Sequence, residues 1–497
     1  MFKRYFIFTL VAICLQSKAF AQKPNVIIIY ADDLGIGDVS AYKRGTLPTP
    51  NMDKLAKNGC RFTNAYATSA TCTPSRFAML SGTYPWRNAK AQILPGDAPM
   101  LLDTSKVSLA DVFKKNGYST AIVGKWHLGL GSGNLDWNSS IPQTPNDLGF
   151  DYSYIMAATN DRVPSVYIKN RKVDNLDPQD PLFVSYRQNF EGQPTAISNP
   201  ELMTKQTSNH NHSDAVYNGV PRIGFMKGGK SALWQDETMY EVFLNQAKNV
   251  IEKKDKNPFF LLYALHEPHA PRMPNWKFAG KSGMGPRGDV ILEADFCVGE
   301  IIKILEKKGL LKNTLIILSS DNGPILNDGY NDGAVEKLGK HTPAGGLRGG
   351  KYSLFDGGTR VPFIVSWGDK IKKGSVSNAL FCQMDFSASF AHFFKTDIPV
   401  SDSQNHWDAL VGKSQKGREE LVVEAFAKIG FRYKNFAYIP PYKGEAIYKN
   451  VNMETGLSKT EQLYDLEKDP AQRNNIAEAE PQLLKEIKER FLVVSQK

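Results

Sequence analysis

Apolar and polar positions along the chain follow two alternating rhythms. Continuous apolar runs at 25–30, 119–123, 258–265, 314–318 and 361–365 read as strands buried on both faces of a mostly parallel sheet. Between them, 107–116, 240–254 and 289–308 carry apolar residues at helical spacing. Strand alternating with helix predicts an α/β fold, a large mostly parallel or mixed sheet sandwiched by helices. The stretch 159–235 is rich in Asn, Asp, Pro and Gly and has little periodicity; inside a compact domain such a length is usually functional or mobile. Further on, 420–425, 432–439 and 461–464 read as short strands and 481–493 as a closing helix. They predict a smaller C-terminal α+β subdomain over 417–497, beside a main domain over 22–416.

The first residues break this pattern. Lys3 and Arg4 precede an apolar run over 5–15, and Ala19-Phe20-Ala21 supplies small residues before Gln22, so 1–21 reads as a signal peptide and the mature chain as periplasmic or secreted. Cys14 follows the bulky Ile13, which disfavours lipid anchoring. The run is shorter than the ~20 residues of a membrane span, and no later segment supplies one. Hydrophobic residues make up 41% of the chain, enough for a substantial core. The net charge of +10 falls to +7 without the leader's Lys3, Arg4 and Lys18, leaving 58 basic against 51 acidic residues. This excess favours anionic substrates. No basic tract interleaves with aromatics, so nucleic acid is not expected as a partner. Cys60, Cys72, Cys297 and Cys382 lack the spacing of a disulfide framework or a zinc site.

Chemistry concentrates just past the predicted strands. The run 25–30 leads into Asp32-Asp33, 119–123 into Lys125-Trp126-His127, 258–265 into His266-Glu267-Pro268-His269, and 314–318 into Asp321-Asn322-Gly323. Ligands of open α/β sheets bind at the carboxyl ends of strands, so four such endings predict one site. Asp32, Asp33, Asp321 and Asn322 offer only oxygen donors, which select a hard divalent cation, calcium first and magnesium second. Each pair alone is also an ordinary turn or helix cap. Cys72 lies in Thr71-Cys72-Thr73-Pro74-Ser75-Arg76. Pro74 disfavours helix at Thr73 and places Cys72 just ahead of a helix N-terminus, as a buried structural thiol or a nucleophile of depressed pKa.

Cys72-Thr73-Pro74-Ser75-Arg76 followed by Gly82-Thr83-Tyr84-Pro85 resembles the signature of the sulfatase family. The resemblance runs from about residue 23 to 473. It passes through Gly124-Lys125-Trp126-His127-Leu128-Gly129, His266-Glu267-Pro268-His269-Ala270-Pro271, Asp321-Asn322-Gly323-Pro324 and Arg348-Gly349-Gly350-Lys351 to Leu463-Tyr464-Asp465-Leu466-Glu467-Lys468-Asp469-Pro470. It implies an alkaline phosphatase-like fold, with the domain over 22–416 catalytic, and hydrolysis of sulfate esters. A maturating enzyme would convert Cys72 to formylglycine, whose gem-diol is both nucleophile and metal ligand. Asp32, Asp33, Asp321 and Asn322 would complete the metal site. Arg76 would hold the modified side chain, and Lys125 and Lys351 would bind sulfate oxygens. His269 would protonate the leaving alcohol, and His127 would help collapse the sulfated hemiacetal.

Asn160, Asp161 and Arg162 open the 159–235 insertion where the family places a substrate-facing polar residue. His266 joins these substrate-side positions, orienting its neighbours or satisfying a buried hydrogen bond. Export, positive charge and a polar insertion fit a sulfated glycan, with a terminal galactose or N-acetylgalactosamine as the expected sugar. The competing readings are a phosphate or phosphonate monoester hydrolase of the same superfamily and a non-catalytic glycan-binding protein.

Overall fold

The computed structural model describes residues 23–253, 256–399 and 402–496; the expected signal peptide, Cys14 included, lies outside them. A ten-stranded sheet forms the centre. In chain order its strands are β1 (Asn25–Ala31), β2 (Cys60–Phe62), β3 (Ser119–Lys125), β4 (Tyr152–Met156), β5 (Ile168–Lys169), β6 (Lys172–Val173), β7 (Phe259–Ala264), β8 (Thr314–Ser320), β9 (Phe363–Ser366) and β10 (Ser375–Ser377). The spatial order is β10-β2-β9-β8-β1-β7-β3-β4-β5-β6.

Every residue of β1 is buried, as its run of β-branched side chains requires of a strand covered on both faces. It pairs in parallel with β8 on one side and β7 on the other, with Ile28 opposite Ile317 and Leu262. Its alternate residues serve two cores. Val26, Ile28 and Tyr30 pack with residues of α3 (Leu109–Lys115) and α6 (Phe386–Phe394), while Ile27 and Ile29 pack with residues of α1 (Pro50–Lys57), α4 (Met239–Glu252) and α5 (Gly285–Lys307). The expected α/β sandwich is therefore present. The sheet is mixed, because β9 runs antiparallel to both β8 and β2.

Two local expectations need correction. The helix α2 (Cys72–Ser81) begins at Cys72, not after Pro74. A proline in the first turn is tolerated, since the N–H groups there have no intrahelical partner to lose. The stretch 432–439 is two strands: the C-terminal sheet runs β11 (Glu420–Ala425), β12 (Lys428–Tyr433), β13 (Phe436–Ile439) and β14 (Gln462–Asp465), all antiparallel. Lys434, at φ 51°, turns the chain between β12 and β13. The closing helix α7 (Pro481–Gln496) sets Ile487 and Phe491 against Leu421, Phe431 and Tyr438 of that sheet. The 159–235 insertion is built from short hairpins and buries Asn160, Asp161, His212 and Arg222.

Candidate active site

Four adjacent parallel strands, β8, β1, β7 and β3, end on the same edge of the sheet and deliver the residues that follow them to one place. Asp32, Asp33, Asp321 and Asn322 are fully buried there. Asn322 Nδ2 donates to Asp33 Oδ1 at 2.7 Å, and the Asp33 amide to Asp321 Oδ1 at 3.3 Å. Asp33 holds φ 63°, left-handed backbone that aspartate tolerates better than most residues and that turns its carboxylate back into the cluster.

Cys72 opens α2 beside this cluster. Its Sγ lies 3.3 Å from His127 Nδ1, and His127 Nε2 lies 2.9 Å from the Leu94 carbonyl. A carbonyl only accepts, so Nε2 carries the proton and Nδ1 of the neutral ring faces position 72 with a lone pair. His127 sits at φ 57°, a conformation a histidine rarely takes without support; Thr73 Oγ1 donates to its carbonyl at 3.0 Å. Arg76, from the next turn of α2, lies close enough to Cys72 for their charges to interact. Its Nε donates to Asp321 Oδ2 at 2.8 Å and its Nη1 to the Lys125 carbonyl at 3.2 Å, with Tyr30 beneath it. Its helical position directs it toward β8, where the nearest buried carboxylate claims it.

Both expected lysines are present. Lys125 Nζ meets Asp32 Oδ2 at 2.5 Å, and Lys351 Nζ lies between Asp33 Oδ2 at 3.0 Å and Asp328 Oδ2 at 2.7 Å. His269 Nδ1 donates to the Ala270 carbonyl at 2.5 Å and is also 3.2 Å from Asn160 Oδ1. That leaves Nε2 directed at Asp33 and Asp328, at 4.0 and 3.8 Å. Asn160 positions His269, since its Nδ2 also donates to the Pro271 carbonyl at 3.0 Å. Asp161 is held by Arg162 and by His212 Nε2 at 3.0 Å. His266 stands behind, its Nδ1 3.2 Å from Glu267, facing a cavity of about 10 Å³ shared with Asn160 and His269 and large enough for one water.

Over residues 24–396 the chain matches the sulfatase family profile, and over 350–497 the profile described as N-sulphoglucosamine sulphohydrolase, C-terminal. This chain belongs to the sulfatase family. It is similar to an N-acetylgalactosamine-6-O-sulfatase of Bacteroides thetaiotaomicron, 46% identical over 94% of this chain and 92% of that one. Human arylsulfatase A is 28% identical, over 96% and 89%. A solved Bacteroides thetaiotaomicron structure described under the metabolism of multiple glycosaminoglycans superposes with a TM-score of 0.93 at 45% identity, covering 96% of this chain and all of that one. A Pseudoalteromonas sulfatase at 24% identity and TM-score 0.70 shares the fold.

The sulfatase is thus a sulfuric ester hydrolase, and its charges explain the donor set. Four buried carboxylates, Asp32, Asp33, Asp321 and Asp328, face three cations, Arg76, Lys125 and Lys351. Burial and the nearby Asp321 hold Asp32 well above the ordinary carboxylate range, and burial also raises Asp33. Against burial, Arg76 and Lys125 keep Asp321 low. Asp32 Oδ1 and Asn322 Oδ1 are buried with no hydrogen-bond partner among the described residues. Orphaned oxygens among incompletely balanced carboxylates fit a hard divalent cation. His269 comes close as well: its ligand-capable nitrogen and carboxylate oxygens of Asp32 and Asp33 lie within 4.8 Å of one another. Burial pushes the Cys72 thiol up, so as a cysteine it is not the activated thiolate that one sequence reading allowed. The four cysteines among the described residues, Cys60, Cys72, Cys297 and Cys382, are all free thiols.

Sequence reasoning missed Asp328 and His212. Asp328 lies five positions past the Asp321-Asn322-Gly323 motif and His212 lies deep in the aperiodic insertion. Neither has a spacing that marks it, and each finds its partner only through the tertiary fold.

Proposed function

We propose that this sulfatase removes the 6-O-sulfate from N-acetylgalactosamine of a sulfated glycan, with Cys72 matured to formylglycine and calcium held by Asp32, Asp33, Asp321 and Asn322. Near-complete coverage at 46% identity to a relative of that activity supports the substrate. The position of Cys72, 3.3 Å from an imidazole lone pair beside the carboxylate cluster, supports the chemistry. Maturation by a separate enzyme and export belong to the same proposal, the latter supported by the leader-like 1–21.

The bound ion would supply positive charge to the sulfate oxygens and favour ionisation of the oxygen at position 72. The side chains then do the rest. Lys125 and Lys351 place fixed charge where negative charge grows on the transferring group. His127 Nδ1 takes a proton from a hydroxyl at position 72; burial, with Lys125 and Arg162, holds the ring neutral and able to accept it. His269 Nε2 faces the site and protonates the departing sugar oxygen. Burial, Lys351 and Lys125 hold His269 neutral in the free protein, so the anionic ester must offset those cations for the ring to gain its proton. Asp161, Arg162 and His212 form a buried polar group beside His269 suited to sugar hydroxyls.

Matured protein assayed against N-acetylgalactosamine and galactose sulfated at single positions, a simple aryl sulfate and an aryl phosphate tests this reading. The 6-sulfated N-acetylgalactosamine should turn over best. Turnover of aryl sulfate or phosphate with no sugar desulfated would overturn the substrate. A Cys72 peptide whose mass shows an intact thiol after co-expression with a maturase would overturn the mechanism.

A further inference from the structure

Beyond Lys351 the site continues into an aromatic wall that the chemistry above does not use. Tyr352 follows Lys351, whose Nζ lies 5.5 Å from the Tyr352 ring centre. The ring stacks on Phe426, with centres 5.3 Å apart and planes at 15°, and Tyr448 closes edge-on against both, 5.4 Å from Tyr352 and 5.2 Å from Phe426. The Tyr352 phenol is near enough to Asp328, Lys351 and Asp33 for their charges to act on it. Phe426 and Tyr448 come from the C-terminal subdomain, Phe426 from the turn joining β11 to β12. Two ring-length steps therefore lead from Lys351 to the part-exposed ring of Phe426.

The backbone under these rings is strained. Tyr352 holds φ 75°, and the turn residues Phe426 and Ala427 hold φ 51° and 56°. A two-residue turn with both central residues at positive φ is what Asn-Gly forms without strain; here the chain places a bulky aromatic and an alanine. Non-glycine residues held in left-handed conformations are energetically unfavourable and gather at ligand-binding surfaces. Phe426 remains 39% exposed beside its contacts with Tyr352 and Tyr448. Ile447, beside Tyr448, is 45% exposed. The segment carrying them reaches the loop of Asp328, where Asn327 Nδ2 donates to the Asn450 carbonyl at 3.4 Å.

We propose that Tyr352, Phe426 and Tyr448 form a stacking subsite for the sugar ring joined to the sulfated residue, so that the C-terminal subdomain selects a glycan end over a free monosaccharide. The occupant is one neutral pyranose face, because the ring that reaches solvent, Phe426, is apolar and linked through Tyr352 to Lys351, whereas the cations Lys125 and Lys351 are buried. The subsite rests on the sulfated-sugar reading above.

The test compares 6-sulfated N-acetylgalactosamine free in solution with the same residue at the non-reducing end of a disaccharide, using matured wild type, Phe426→Gly and Phe426→Trp. Glycine removes the ring and relieves the positive φ, so loss of folding does not confuse the outcome. Wild type should favour the disaccharide in kcat/KM by about three- to tenfold, the range of one aromatic stacking contact. Phe426→Gly should bring the ratio near one through KM, and Phe426→Trp should restore it. An unchanged ratio in Phe426→Gly, or equal losses on both substrates, overturns the subsite and leaves the substrate reading intact. Wild type inactive on both sugars overturns the substrate reading and the subsite together.

Discussion

His127 combines two properties that only the folded chain reveals. Its φ of 57° turns the ring toward Cys72, and the Leu94 carbonyl selects the tautomer that leaves Nδ1 free to accept a proton. His127→Ala should lower kcat by about 10²- to 10⁴-fold, the usual contribution of a positioned general base, while binding of a sulfated sugar to the protein changes little. Pre-steady-state kinetics and calorimetry read the two separately, and a kcat within threefold of wild type would remove His127 from the proton path. Residue identity at the centre of the site was readable in advance because motif order fixed it: Asp32, Asp33, Cys72, Lys125, His127, His269, Asp321, Asn322 and Lys351 all gather at one edge of the sheet. What those residues touch was not readable. Arg76 pairs with Asp321 because the pitch of α2 carries it there, and Lys351 meets both Asp33 and Asp328 because its ammonium has three N–H donors to place and the fold brings the two carboxylates to either side of it.

At the scale of elements, continuous apolar runs announced the central strands well, since a strand buried on both faces needs no alternation. Short edge strands and the C-terminal hairpins carry little pattern, so β12 and β13 merged into one expected strand. The element with most consequence for the site is β11. Glu424 on it exchanges backbone hydrogen bonds with the segment ahead of Cys72: its amide donates to the Thr68 carbonyl at 2.9 Å, and the Ala70 amide donates to its carbonyl at 2.8 Å. Glu424 is 1% exposed, with Oε2 unpartnered among the described residues, and burial pushes its pKa up to about 7. The unfolded chain titrates this group near 4.5, so the neutral form is favoured on folding. Stability linked to it is fully present below about pH 4.5 and is lost as pH rises through about 7, by roughly 3 kcal/mol in all. Glu424→Gln keeps the shape without the charge. Melting temperatures measured from pH 4.5 to 8 should fall less for this variant than for wild type, and parallel curves would show that Glu424 ionises without penalty.

The whole molecule gathers charge at one place and fastens the C-terminal sheet around it. Arg432 on β12 reaches Asp356, and Arg418 reaches Asp385 at 2.6 Å, both across buried boundaries between the main sheet's layers and the C-terminal strands. The catalytic edge itself is held by carboxylates that repel one another: Asp32, Asp33 and Asp321 arrive from the ends of the two central strands β1 and β8, and no apolar packing can separate them without unpairing those strands. A divalent ion that neutralises the cluster should therefore stabilise the entire domain. Calcium at about 100 times its Kd should add about 2.7 kcal/mol, a rise of several degrees in Tm, with magnesium giving less. Asp33→Asn gives this a definite sign. Asparagine tolerates the left-handed backbone at position 33, retains an oxygen for Asn322 Nδ2, and leaves Lys351 its bond to Asp328. In chelator-treated protein the variant should melt at or above wild type, because one repelling charge is gone, and calcium should no longer raise its Tm. Scanning calorimetry of both proteins with and without calcium decides it: a chelated variant melting several degrees below wild type, or an undiminished calcium shift, would mean that Asp33 serves packing and not the ion.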